Sequence, residues 1–235
     1  EPLCSAGYAV RDGSDDRYRL TVLVRGLSDG YDDEAWIGEV AQPLLGELGR
    51  KLVWPVSIST NQGNGMLVRH TTDKQSPLAL ERYNAGVRLP LLNSASGRTY
   101  LAFSPAPQRA ALLDIALGSG AEMEGAGRQR DMIEKMLAGI RKAGYAISIR
   151  QYRGESTAAV PLYAGSALLG CVGMRFMDKA VTEAVFASRY LPDLKEAARE
   201  IGEAYLDWKA NSQPQPLDQM PTRRWDWTLE RRVEH

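Results

Sequence analysis

Residues 89–103 read Leu-Pro-Leu-Leu-Asn-Ser-Ala-Ser-Gly-Arg-Thr-Tyr-Leu-Ala-Phe: a proline, a run of small residues, then an apolar helix. Asn93, Ser94 and Ser96 can each cap that helix, because short side-chain oxygens accept the free amide hydrogens of a first turn. Ala95 and Gly97 keep the backbone bare beside them. A bare helix N-terminus presents unpaired N–H groups and the positive end of the helix dipole, a combination that suits a carboxylate. Taken alone, the same residues also describe a plain capped helix.

Arg175 is the second group with chemical potential. It sits in the apolar stretch Cys171-Val-Gly-Met-Arg-Phe-Met177, where a charge is costly unless paired. It can fork onto a carboxylate of a bound molecule, or pair with Asp178 at a strand end. Gly173 beside it lets a flat ring approach the sheet, or marks a bulge. Trp54 can stack on an aromatic ligand, although Trp followed by Pro at a strand start is also a core pattern. Cys171 reads as a buried, inert thiol. His70 ends a strand with no carboxylate or cysteine at metal-ligand spacing, so no metal and no cofactor is expected.

These groups need a frame, and composition bounds it. A chain of 235 residues suffices for one sizeable core, or one core with a small attachment. The apolar share of 44% and charged share of 25% exclude gross disorder. Lys plus Arg equals Asp plus Glu at 29 each, so any affinity for DNA must come from a local feature. Cys4 and Cys171 lie far apart, as free thiols of a reducing cytoplasm do. No apolar run approaches the roughly 20 residues of a membrane span, and no secretory signal is visible. The chain opens at Glu1 rather than Met, and its natural beginning is expected to lie upstream.

The elements follow from pattern. Residues 8–11 and 17–21 read as strands joined by Asp12-Gly-Ser-Asp-Asp16, a hairpin signal. Residues 32–52 form an amphipathic helix that Pro43 should kink or split. Strands are expected over 53–60, 65–71, 77–82 and 86–90, then helices over 94–103 and 107–117. The next helix carries an apolar stripe of Met132, Ile133, Met136, Leu137 and Ile140 and ends at Gly144. Strands over 145–151, 156–163 and 167–176 read as interior to a sheet, and a last helix spans 192–208. Ser212-Gln-Pro-Gln-Pro216 opens a linker-like tail.

In order and spacing these segments resemble the IclR-type transcription regulators. Gly7-Tyr8 with Tyr18-Arg-Leu-Thr21 resembles the wing that closes a winged helix-turn-helix. Arg88 to Arg98, followed by Leu101-Ala102, looks like the signature around the effector pocket. Gly144-Tyr145, Ala158-Ala-Val-Pro161, Leu169-Gly-Cys-Val172 and Tyr190-Leu-Pro192 complete the series. Trp54-Pro55, Arg69 with Thr71-Thr72, and Leu89-Pro-Leu-Leu92 are similar to the hydroxyphenylpropionate-activator-like branch, which controls aromatic-acid catabolism.

The resemblance implies an α+β fold. In it a GAF-like effector domain has a central antiparallel sheet and flanking helices, with helices on one side and a pocket under loops on the other. A remnant wing hairpin (1–27) and a linker helix (28–50) precede the effector domain (51–208), and a tail (209–235) follows. Backbone amides matching Ala95 and Ser96, with Ser94 beside them, would hold the effector's carboxylate. Further pocket positions align with Gln151, Pro161, Gly173 and Arg175, and their residue types count against glyoxylate and pyruvate. Arg11, Arg17 and Arg19 on the wing could touch DNA phosphates, but without a recognition helix only weakly and in a salt-sensitive way. Promoter DNA is the expected partner of the full-length protein, and a homodimer or tetramer the expected assembly.

The function expected is ligand sensing, for a small carboxylic acid, above all a monocyclic aromatic one. Arg175 leaves room for a second carboxylate, as in a phthalate. Within the same family a small keto-acid is the competing effector. A thiol-dependent enzyme of GAF-like fold would need an activated cysteine, which neither Cys4 nor Cys171 resembles. No catalytic residue is therefore assigned. An interaction module with a vestigial pocket is the remaining alternative.

Overall fold

The computed structural model describes residues 4, 9–11, 18–21, 35–79, 82–117, 126–150 and 154–212. Strands β1 (Ala9–Arg11) and β2 (Tyr18–Leu20) pair antiparallel as the expected hairpin. Six further strands form one sheet: β3 (Val56–Gln62), β4 (Gly65–Thr71), β5 (Arg88–Pro90), β6 (Ala146–Arg150), β7 (Glu155–Ala164) and β8 (Ala167–Met177). Their order is β5-β4-β3-β8-β7-β6, every neighbouring pair antiparallel. Gly165, at φ 57°, turns β7 into β8 in the left-handed conformation that glycine adopts without strain. β7 and β8 are interior as expected, but β6 is an edge strand. Residues 77–79 form no strand, so the strand expected over 77–82 is not present in its described part.

Helices cover both faces of the sheet, a correction to the one-sided layer that the resemblance implied. One face carries α1 (Gln42–Leu52) and α6 (Leu191–Asn211). The other carries α2 (Ala95–Phe103), α3 (Ala106–Leu117) and α4 (Ala126–Ala143), and a single turn α5 (Glu183–Val185) precedes α6. Strand pleating sorts the side chains: Val172, Met174 and Phe176 enter the α1/α6 core, while Cys171 enters the opposite one. Within the first core, Phe186 lies 5.7 Å from Phe176 and 5.3 Å from Tyr145, ring centre to ring centre. A fully buried ring or aliphatic chain of this kind stabilises by about 1.5–3 kcal/mol.

The proline effect takes a specific form. Residues Ile37–Ala41 and Phe186–Tyr190 are π-helical, each directly before a helix with proline in its first turn, Pro43 in α1 and Pro192 in α6. A proline ring clashes with the carbonyl four residues earlier, and a wider turn relieves that clash. The bonds Gln42 N–H to Ile37 O and Leu191 N–H to Phe186 O close these wide turns. Met132 departs from the expected stripe of α4: it is 67% exposed, while Leu137 is fully buried. Among the described residues no helix is long and apolar enough to cross a membrane.

Candidate effector site

Ser94 caps α2 from an extended conformation (φ −123°, ψ 153°). Its hydroxyl oxygen accepts from Gly97 N–H at 3.0 Å and donates to Pro90 O at 2.7 Å, tying the cap to the end of β5. Arg98 N–H is bonded to Ser94 O at 3.0 Å. The first two amides of the helix, on Ala95 and Ser96, have no intrahelical acceptor and no bonding partner among the described residues. Gly97 is obligatory here, since a Cβ would collide with the Leu91 backbone and the Pro90 carbonyl. The α2 start is therefore pressed onto the chain that enters it.

In front of it lies a cavity of about 200 Å³. Val68, Val87, Leu89 and Pro90 give it apolar walls, and Ser57, Thr71, Ser148 and Thr157 add hydroxyls. Asn93, Ser94, Ala95 and Ser96 form one end. Asp73, Tyr83 and Arg175 also line it. A Cβ on Gly173 would lie 3.4 Å from Ser57 Oγ and 3.8 Å from Ser96 Oγ, which places this glycine beside two lining residues.

Arg175 is held tightly. Its guanidinium forms ion pairs with Asp73 and, at 3.3 Å, with Glu155, and it rests 4.3 Å from the centre of the Tyr83 ring. The pairing with Asp178 considered from sequence is replaced by these two carboxylates. Asp73, only 1% exposed, also accepts from Thr71 Oγ at 2.7 Å. Desolvation pulls Arg175 down to about 10, which leaves it charged at neutral pH. Among the described residues one guanidinium thus serves two carboxylates.

The structure brings Ser94, Ala95, Ser96, Gly173 and Arg175 together. Trp54 stands apart: it is 5% exposed in the α1/α6 core, its indole N–H 3.4 Å from the Tyr190 hydroxyl. A large ring next to the α1–β3 junction is worth more as core than as ligand contact. Pro161 also lies elsewhere. β7 outruns β6 after Ala159, and Pro161 lines a groove with Tyr163 and Ala198, away from the cavity. Gln151 and Arg17 fall outside the described residues. Arg11 lies on β1 and Arg19 on β2, paired with Tyr18 and Val10 respectively.

Ser57, Thr71, Asp73, Tyr83, Ser148, Thr157 and Glu155 are among the lining or pairing groups that the sequence reading missed. Thr71-Thr72-Asp73 at a strand end offered one signal, since such hydroxyl–carboxylate turns gather polar atoms. Cys171 is fully buried, with its thiol donating to Ser96 O at 3.3 Å, and burial pushes its pKa well above the usual thiol range. Among the described residues no group of three or more His, Cys, Asp or Glu could hold a metal ion.

A family model described as "Bacterial transcriptional regulator IclR C-terminal" matches residues 31–203. The chain belongs to the IclR family. It contains the ligand-binding domain of an IclR-family transcriptional regulator. Among similar solved structures, Thermotoga maritima IclR is 20% identical with a TM-score of 0.66, covering 86% of this chain and 81% of its own. An IclR homologue from Microbacterium hydrocarbonoxydans, complexed with 4-hydroxybenzoate, is 18% identical with a TM-score of 0.67, covering 88% and 82%. A double mutant of the PobR inducer-binding domain from Acinetobacter, complexed with 3-hydroxybenzoic acid, is 19% identical with a TM-score of 0.56, covering 69% and 95%.

Proposed function

We propose that this regulator senses a monocyclic aromatic carboxylic acid, with the carboxylate at the start of α2 and the ring between the apolar walls and Gly173. The observation that carries this reading is the pairing, in one 200 Å³ cavity, of apolar walls with two helix-start amides that have no partner among the described residues. The amides suit an anion, and the walls suit a ring. A small keto-acid such as pyruvate would satisfy the amides and leave Val68, Val87 and Leu89 uncovered. The engaged state of Arg175 shifts the choice among aromatic acids. A second carboxylate would meet Asp73 and Glu155 as well as the guanidinium, whereas a hydroxyl can bond the serine and threonine lining. Two structural neighbours that hold hydroxybenzoates favour the same class.

In this reading β1–β2 is the wing of a DNA-binding module, and Arg11, Arg17 and Arg19 add weak, salt-sensitive phosphate contacts. Occupancy of the cavity shifts the population of a homodimer or tetramer between arrangements that differ in promoter binding. The test is calorimetric titration with benzoate, 3- and 4-hydroxybenzoate, the phthalate isomers, phenylpropanoids, pyruvate and glyoxylate. Saturable binding is expected for the hydroxybenzoates, about tenfold or more tighter than for the phthalates or the keto-acids. Binding of the keto-acids alone would overturn the aromatic reading, and tightest binding of a phthalate would overturn the role given to Arg175.

A further inference from the structure

We infer that residues 72–76 form a strap coupling the effector cavity to α1, so that the cavity's charged cluster sets how firmly the end of α1 is held. The inference rests on the proposed effector site only for what fills the cavity. The strap meets the cavity at Asp73, which Arg175 and Thr71 hold at the lining. Its neighbour Thr72 is buried and clamps the start of β3: its N–H donates to Val56 O at 2.9 Å, and its hydroxyl accepts from Val56 N–H at 3.0 Å. Gln75 and Ser76 fold back with their N–H groups on Thr72 O, at 2.9 and 3.0 Å.

From there the strap reaches α1 in two places. Gly49 of α1 packs directly on Thr72, where an added Cβ would lie 3.0–3.2 Å from three side-chain atoms. Ser76 donates its hydroxyl to Val53 O at 2.6 Å. Val53 ends α1 at φ 66°, the only non-glycine with positive φ among the described residues. A β-branched residue occupies that region only when its surroundings impose it. Arg175 holds the same junction from the sheet side, its N–H donating to Pro55 O at 2.9 Å. A strained residue between a helix and a strand, held directly by Ser76 and lying two residues before Pro55, which the cavity-lining Arg175 holds, is a hinge that the cavity can bias.

The test is amide hydrogen exchange on the ligand-free full chain for wild type, Asp73→Asn, Ser76→Ala and the double variant. Each single change is expected to speed exchange of residues 49–54 by about tenfold while residues 158–162 of β7 stay unchanged. The double variant should be no more than about twofold faster than the faster single one, since both cut the same strap. Should Asp73→Asn fail to fold, Thr71→Val removes only the hydroxyl bracing Asp73 and should give the same pattern at about threefold. Effects of Asp73→Asn confined to residues 71–76, or effects that multiply in the double variant, would overturn the strap. In wild type, bound 4-hydroxybenzoate should slow exchange at 49–54, and binding without that slowing would also overturn it. If none of the aromatic acids binds, the effector reading falls while the ligand-free comparison still decides the strap.

Discussion

The two faces of the sheet are built from alternate residues of the same strands, and they do different work. On the α1/α6 face, Val172, Met174, Phe176 and Phe186 make an apolar core. On the α2 face, the intervening Gly173 and Arg175 meet hydroxyls, carboxylates and helix-start amides around a cavity. Packing density stabilises the first face. The second keeps a hole and a buried charge cluster, both of which cost stability unless something fills or pairs them. The pleat lets one strand serve both ends, because alternate side chains enter different surroundings.

That separation can be broken by substitution. Phe186→Ala should lower unfolding free energy by about 3–5 kcal/mol in urea titration, yet leave the affinity of folded protein for 4-hydroxybenzoate unchanged. Ser96→Leu should act in reverse, filling the space beside Gly173. It should weaken 4-hydroxybenzoate at least about a hundredfold, or about 2.7 kcal/mol, by calorimetry, with smaller loss of stability. Equal losses of both properties in either variant would mean that the faces are not separable. Thr99→Val sharpens the comparison at the second face. Its buried hydroxyl donates to Ala159 O at 3.1 Å, tying α2 to β7, and its loss should cost about 1–2 kcal/mol in thermal unfolding.

The smallest effect concerns acid. Burial lowers His70 below its ordinary value of 6.5, so the unfolded chain binds this proton more tightly than the folded one. Its contribution to stability is present above pH 6.5 and declines as pH falls from 6.5 towards the lowered value. His70→Gln should flatten that part of the stability profile, read by urea unfolding at stepped pH.

Much of the first face was legible in the sequence. The apolar stretch Cys171–Met177 and the last helix are each set by neighbours along the chain. Half of the second face was legible too, because Ser94, Ala95 and Ser96 are consecutive and cap chemistry is local. The other half was not: Arg175 meets Asp73 across 102 residues, and no local pattern announces such a pair. Trp54 illustrates the converse. Its type suits a ring-binding pocket, but a strand start facing α6 puts it into the core.

If the start of α2 receives the carboxylate on the Ala95 and Ser96 amides, which have no partner among the described residues, Ala95→Pro tests it with the least disturbance. Proline is tolerated at a first helical position after an extended residue such as Ser94, yet it has no N–H to donate. Calorimetric titration of this variant with 4-hydroxybenzoate should show affinity lower by about 1.5–3 kcal/mol, roughly ten- to hundredfold, with the melting temperature nearly unchanged. Wild-type affinity in the variant would contradict the claim and move the carboxylate elsewhere in the cavity.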